Sequence, residues 1–113
     1  MLKRGDVVLV PFPFTDLLNE KVRPSVVIST VNDIDVSVAF ISSVIPKVPA
    51  EFDFVLPKSH PDFFISCLKK SSVFKMNKVL TLERSVIVRR LGNVSPTIQK
   101  KLDTRFKLAF GIE

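Results

Sequence analysis

Short apolar runs separated by turn residues occupy the first half of the chain. Residues 7–10 are rich in β-branched side chains and are followed by two prolines, which cannot donate to the hydrogen-bond ladder of a central strand. Residues 25–29 have a similar composition. In residues 35–42 and 52–56, polar and apolar positions alternate at first, the period of a half-buried strand. These patterns predict four strands.

The second half contains three shorter strand-like runs. They are residues 72–74, 79–82 and 85–88, and a turn is expected at Gly92 and Asn93, which follow the last run. The stretch between the fourth strand and the first of these runs is rich in proline and polar residues and is typical of a loop.

The end of the chain has the pattern of an amphipathic helix. Ser95 is a good N-cap, Pro96 fits the first helical position, and Gly111 supplies a stop. Spacings of four, four and three give one apolar stripe made of Ile98, Leu102, Phe106 and Ala109. The sequence therefore predicts six or seven short strands and one packing helix, a mostly β protein built as a small antiparallel barrel or sandwich.

Composition places this pattern in one globular domain that spans residues 1–113. The 46% hydrophobic content excludes disorder of the whole chain, and no apolar run approaches the ~20 residues that span a bilayer. An acid at position 6 precedes any long apolar region, which does not fit a signal peptide. We therefore expect a soluble cytoplasmic protein without membrane contact. The single cysteine, Cys67, is expected to be a small buried apolar residue.

Charge is divided unevenly between the two halves. Residues 1–60 carry six Lys/Arg and seven Asp/Glu, a net charge of −1, whereas residues 61–113 carry eleven and four, a net charge of +7. A basic half suits a polyanionic partner such as nucleic acid, or an acidic protein segment. A solvated basic surface is the alternative.

One pair of segments is specific enough to indicate a family. Residues 4–16 (RGDVVLVPFPFTD) give a strand and a proline-broken polar loop, and residues 23–29 (RPSVVIS) begin the next strand with Arg-Pro. This arrangement resembles the PemK/MazF family of toxins, the ribonuclease halves of bacterial toxin–antitoxin pairs. The resemblance continues through residues 40–43 (FISS), residues 72–83 (SVFKMNKVLTLE) and the terminal helix, and is weakest over residues 44–67.

The resemblance implies a small SH3-like barrel of the CcdB/PemK type that forms a homodimer, binds a cognate antitoxin and cuts single-stranded RNA without a metal or cofactor. By position, Arg23 and Ser42 match the family's catalytic core, and Glu20 approximately matches an acidic residue in the loop before the Arg-Pro pair. Ser42 departs from the commoner threonine, which keeps the hydroxyl but loses the stiffness of the β-branch.

These residue types suit cleavage of RNA by its own 2′-hydroxyl, whatever the family. An arginine offers a planar fork of donors to phosphate oxygens and stays charged, so Arg23 is the electrostatic anchor. Ser42 can donate to a phosphate oxygen, and Glu20 can act as the base or orient Arg23. The structural alternatives are a surface arginine at a strand start, a strand-end turn serine and a solvated loop glutamate.

Four further side chains are candidates for RNA binding. Phe12 and Phe14 flank a proline and suit stacking on unpaired bases, or alternatively belong to the core or a dimer contact. Lys75 and Lys78 belong, with Lys69 and Lys70, to the densest basic stretch of the chain, which suits a path for the RNA backbone. The resemblance places the segment around Lys75 and Lys78 close to the RNA groove, which implies contact of these two with phosphates. Solvated lysines are the alternative.

Two other functions remain open at this stage. The same fold in CcdB-type toxins binds DNA gyrase and cuts nothing, so a non-catalytic protein that binds a protein target is the first alternative. A plain RNA-binding module that relies on the basic half is the second.

Overall fold

The described strands form one antiparallel sheet, and a helix follows the last strand in the chain. The computed structural model describes residues 1–11 and 22–113. The described strands lie in the order β4-β5-β3-β2-β1-β6. They are β1 (Asp6–Pro11), β2 (Val22–Ser29), β3 (Asp35–Ser42), β4 (Asp53–Leu56), β5 (Ser72–Glu83) and β6 (Arg89–Asn93). Short 3₁₀ helices occupy Phe64–Ser66 and Arg84–Val86, and helix α1 spans Pro96–Phe110.

The four strands predicted in the first half are confirmed, and β3 has the predicted bounds. Along β3, Val36 and Val38 are buried on one face and Ala39 and Ile41 on the other. Burial of apolar groups on both faces fixes the register, because a slip by one residue would exchange the two faces.

The predicted separation of residues 72–74 from 79–82 is wrong, since both belong to the 12-residue strand β5. Lys75 pairs with Phe40, and the next pair along β3 joins Ala39 to Val79. Residues 76–78 therefore form a bulge, which interrupts the alternation of polar and apolar positions. This interruption makes one strand look like two in the sequence.

The predicted strand at residues 85–88 is also wrong. Residues 84–86 form a 3₁₀ helix, and the last strand is β6. The turn predicted at Gly92 and Asn93 is wrong as well, because both residues belong to β6 and pair with β1. Its sequence, RRLGN, has little β-propensity. The strand exists because its backbone pairs with β1, where Leu9 lies opposite Arg89 and Val7 lies opposite Gly92.

The terminal helix is confirmed in detail. The Ser95 hydroxyl accepts a hydrogen bond from the backbone N–H of Ile98 at 3.2 Å, and Gly111 ends the helix with a left-handed φ of 65°. Ile98 and Leu102 are buried, and Phe106 packs against the core. Within the described ranges, no helix is long and apolar enough to cross a membrane.

Apolar clusters cover both faces of the sheet. The cluster that contains Ile98 and Leu102 of α1 also contains Val7, Ile41 and Phe74 from the sheet. On the opposite face, five valines are almost completely buried, namely Val8, Val10, Val27, Val36 and Val38, and none of the described members of this cluster comes from α1. The sheet encloses this second cluster by curling, as expected of a small barrel. The predicted mostly β fold with a C-terminal helix is therefore confirmed.

Candidate active site

A groove of about 650 Å³ brings Arg23 and Ser42 together. Its described lining residues come from β1, β2, β3 and the turn after it, the segment between the first 3₁₀ helix and β5, the first residue of β5, and β6. They are Leu9, Arg23, Pro24, Phe40, Ile41, Ser42, Ser43, Val44, Cys67, Leu68, Lys69, Lys70, Ser72, Arg89, Arg90 and Leu91. This volume lies within the range of pockets that hold drug-sized ligands.

Strand register explains why Arg23 and Ser42 meet. Ser25 pairs with Phe40 between β2 and β3, and the same antiparallel register continued by two residues places Arg23 opposite Ser42. Both residues lie at strand ends, beyond the apolar clusters, and the Arg23 residue is exposed. The two catalytic candidates therefore belong to one site, although they are 19 positions apart in the chain.

The Ser42 hydroxyl is held by the local backbone. Its Oγ accepts a hydrogen bond from the backbone N–H of Val44 at 3.1 Å. A serine hydroxyl has one hydrogen and two lone pairs, so this contact leaves the O–H available to donate. The turn after β3 thus fixes the position of the oxygen and leaves its hydrogen for a ligand in the groove.

The electrostatics of the groove are one-sided. Five of its described lining residues are cationic, and none of them is acidic: Arg23, Lys69, Lys70, Arg89 and Arg90. Apolar side chains accompany these cations, among them Leu9, Pro24 and Ile41. A groove with cationic walls and apolar surface suits a flexible polyanion that also presents flat apolar groups, which describes single-stranded nucleic acid.

Among the groove cations, Arg90 is the one whose ion pair lies within the described residues. Its Nε lies 3.1 Å from Oδ1 of Asp6, whose side chain is fully buried at the start of β1. The Nζ of Lys3 lies 3.5 Å from the same oxygen. A buried carboxylate needs such neighbours to offset the loss of hydration. We therefore assign Arg90 mainly to the support of Asp6.

Lys75 and Lys78, predicted to bind RNA, are not among the described lining residues of the groove. The Nζ of Lys75 lies 3.7 Å from Oδ2 of Asp53, its cross-strand neighbour on β4, and the Asp53 side chain is only 3% exposed. Lys78 is exposed in the bulge of β5. Contact of these two lysines with RNA stays a prediction.

Phe12, Phe14 and Glu20 lie outside the described residues, so their predicted roles also stay predictions. The structure does describe the residues on either side of this segment, Pro11 and Val22. Pro11 pairs with Val22, which closes the β1–β2 ladder next to Arg23.

Sequence reasoning missed Arg89 and Arg90 as site residues and noted Lys69 and Lys70 only as a dense basic stretch. The signal available in the sequence was the net charge of +7 in the second half. The prediction that Cys67 is buried is wrong: the residue is exposed, and its φ of 58° turns the chain out of the 3₁₀ helix towards Lys69. Few non-glycine residues adopt this conformation.

Solved structures share this architecture over nearly the whole chain. An endoribonuclease from a mycobacterial species, in complex with its cognate antitoxin, superposes with a TM-score of 0.73 at 19% identity, covering 100% of this chain and 98% of that one. The toxin MazF-mt6 of Mycobacterium tuberculosis gives 0.73 at 14% identity, covering 96% and 98%. MazF from Deinococcus radiodurans gives 0.72 at 18%, covering 98% and 97%.

These similarities define the fold as that of MazF-like toxins. The sequence itself goes further, because residues 3–110 match the family of PemK-like, MazF-like toxins of type II toxin–antitoxin systems. The chain belongs to this family, as its opening segments indicate. No curated protein matches it at a significant level.

Proposed function

We propose that this protein is an endoribonuclease toxin that cleaves single-stranded RNA by attack of the substrate's own 2′-hydroxyl, without a metal ion. The observation that carries the proposal is that Arg23 and Ser42 line the same groove. Among the lining residues that the structure describes, every charged one is cationic. Family membership and the endoribonuclease neighbours support the same conclusion.

The proposed chemistry assigns each residue one task. The 2′-hydroxyl loses its proton as its oxygen attacks phosphorus, the bond from phosphorus to the 5′-oxygen breaks, and the 5′-oxygen takes up a proton from water. The products are a 2′,3′-cyclic phosphate and a 5′-hydroxyl. Arg23 stabilises the negative charge that builds on the phosphate oxygens, and Ser42 donates a hydrogen bond to one of them. Glu20, three positions before Arg23, is proposed to take the proton of the 2′-hydroxyl or to orient the guanidinium.

Two partners complete the proposal. A cognate antitoxin is expected to silence the toxin with an acidic or apolar segment in the same groove, which matches the charge and the apolar surface found there. We also propose a homodimer, since apolar side chains are strongly exposed both at the groove and near it in the chain. Val44, which lines the groove, is 77% exposed, and Phe64, on the 3₁₀ helix that precedes the groove residue Cys67, is 88% exposed. Light scattering checks this assembly against the chain mass of 12.7 kDa.

Incubation of the purified protein with a long single-stranded RNA in EDTA tests the proposed reaction. We expect fragments with 5′-hydroxyl ends, which a polynucleotide kinase labels without prior dephosphorylation. Binding without cleavage would instead favour the RNA-binding module, and neither binding nor cleavage would favour the non-catalytic toxin. Cleavage that requires a divalent cation would contradict the metal-independent mechanism.

Substitutions of Ser42 test whether this residue acts as a hydrogen-bond donor to phosphate or only as a turn residue at the end of β3. Ser42→Ala is expected to reduce cleavage about 10- to 100-fold, because it removes a hydrogen bond to a charged group worth about 1.5–3 kcal/mol. Ser42→Thr keeps the hydroxyl and is expected to retain activity. Rate constants measured for both variants under single-turnover conditions check this. Equal losses in both would show that the hydroxyl is not the functional group.

A further inference from the structure

Arg89 occupies an unusual position among the groove cations. It lies on β6 directly opposite Leu9 of β1, and it lines the groove as an exposed residue. Among the described residues, its guanidinium has no ion pair or hydrogen bond, whereas that of its neighbour Arg90 lies against buried Asp6. An arginine side chain that is exposed in a groove and has no partner among the described residues can offer its donors to a ligand.

The sheet separates Arg89 from Arg23 by a defined interval. Leu9 pairs with Pro24 on one side and with Arg89 on the other, so β1 lies between the two arginines' strands. Two inter-strand spacings put the backbones of β6 and β2 about 9–10 Å apart. Arg23 pairs with Val10, the residue after Leu9, so the two arginines also occupy successive register positions. Because they enter the groove from different strands and different register positions, the two guanidinium groups suit different phosphates of one nucleic-acid strand.

The remaining groove cations belong to another segment. Lys69 and Lys70 follow the first 3₁₀ helix and precede β5, and both line the groove. Together with Arg89 they surround the apolar surface formed by Leu9 and Pro24. A nucleic-acid strand in the groove therefore meets fixed positive charge away from Arg23 as well as at it.

We propose that Arg89 is a substrate-binding residue that holds a phosphate neighbouring the scissile one and so determines KM. This inference rests on the proposed ribonuclease function and deepens it. Because the contact is present in both the bound substrate and the transition state, it strengthens binding without lowering the barrier of the chemical step. Arg89 is thus distinguished from Arg23, whose contact acts on the reacting phosphate.

Steady-state kinetics of Arg89→Ala on a short single-stranded RNA that the wild type cleaves test this proposal. We expect KM to rise about 10-fold, the effect of one lost charge-assisted contact, with kcat within about twofold of wild type. The slope of log affinity against log salt concentration is expected to become shallower by about 0.7, the value for one phosphate on a single strand.

Two further variants make the result specific. Lys101→Ala removes one exposed positive charge from α1, outside the described lining of the groove, and is expected to change neither KM nor the salt slope. Arg89→Lys keeps the charge, so its slope of log affinity against log salt concentration is expected to stay close to that of the wild type.

Three outcomes would overturn the inference. If KM and the salt slope are unchanged in Arg89→Ala while the wild type is active, the proposed Arg89 contact is wrong and the proposed ribonuclease function stands. An equal fall in kcat and kcat/KM places Arg89 at the reacting phosphate instead. A wild-type chain that neither binds nor cleaves RNA overturns the proposed function as well, so the two failures are distinguishable.

Discussion

Replacement of Arg23 by alanine is expected to lower the rate of RNA cleavage about 10²–10³-fold, the loss typical when one preorganised donor to a charged transition state is removed. Arg23 is exposed at a strand start in the groove, next to the turn that holds Ser42. Its removal therefore opens no cavity in the core, and the free energy of unfolding is expected to stay within about 0.5 kcal/mol of wild type.

A lysine at the same position tests whether charge alone is sufficient. Arg23→Lys retains the charge but loses the planar fork that binds two phosphate oxygens, so we expect an activity between those of Arg23→Ala and wild type. Single-turnover cleavage rates, together with urea unfolding of each variant, separate loss of chemistry from loss of fold. Lys101→Ala again controls for the loss of one positive charge. An Arg23→Ala variant that cleaves at the wild-type rate would show that the assigned site is wrong.

The parts of the fold that sequence predicts are those whose burial is periodic. β3 alternates between two buried faces, and α1 carries its own cap, stripe and stop in Ser95, Leu102 and Gly111. β6 has none of these signals, because it lacks an apolar alternation and ends in Gly92 and Asn93, which are poor strand formers. Only pairing with β1, 80 or more positions earlier in the chain, makes this segment a strand.

The same reason limits what sequence predicts of the site. Arg23 and Ser42 are found through the family resemblance, since each lies beside a recognisable strand. Arg89 cannot be assigned in this way, because its place opposite Leu9 depends on a long-range pairing. The basic character of the second half predicts that such cations exist and leaves open which of them line the groove. Lys75, one of the two lysines for which the sequence predicts RNA contact, lies against buried Asp53.

The largest effect on stability is expected from Gly92→Ala. A Cβ at this position would lie 2.3 Å from the backbone carbonyl oxygen of Ile65 and 2.8 Å from two backbone atoms of Ser66. Backbone atoms cannot rotate away, so the 3₁₀ helix Phe64–Ser66 must move. We expect the free energy of unfolding, measured in urea, to fall by about 2–3 kcal/mol, the upper part of the range for overpacking.

Two comparisons identify the cause of that loss. Gly111→Ala adds the same methyl group where no atom of the described residues lies within 4 Å. The left-handed backbone at φ 65° therefore opposes the substitution, at a cost of about 1–2 kcal/mol. Ile65→Ala is expected not to rescue Gly92→Ala, because the obstructing atom is the main-chain oxygen. Rescue, or a loss no larger than that in Gly111→Ala, would contradict the close approach of the two backbones.

The contact at Gly92 also links stability to the groove. The 3₁₀ helix that packs on Gly92 leads through Cys67 directly into Lys69 and Lys70, which line the groove with Arg89 of β6. A shift of that helix therefore moves lysines on one segment relative to arginine on another. We expect the folded fraction of Gly92→Ala to bind RNA more weakly than wild type, because the close backbone approach at Gly92 sets the relative position of the two segments that carry the cations.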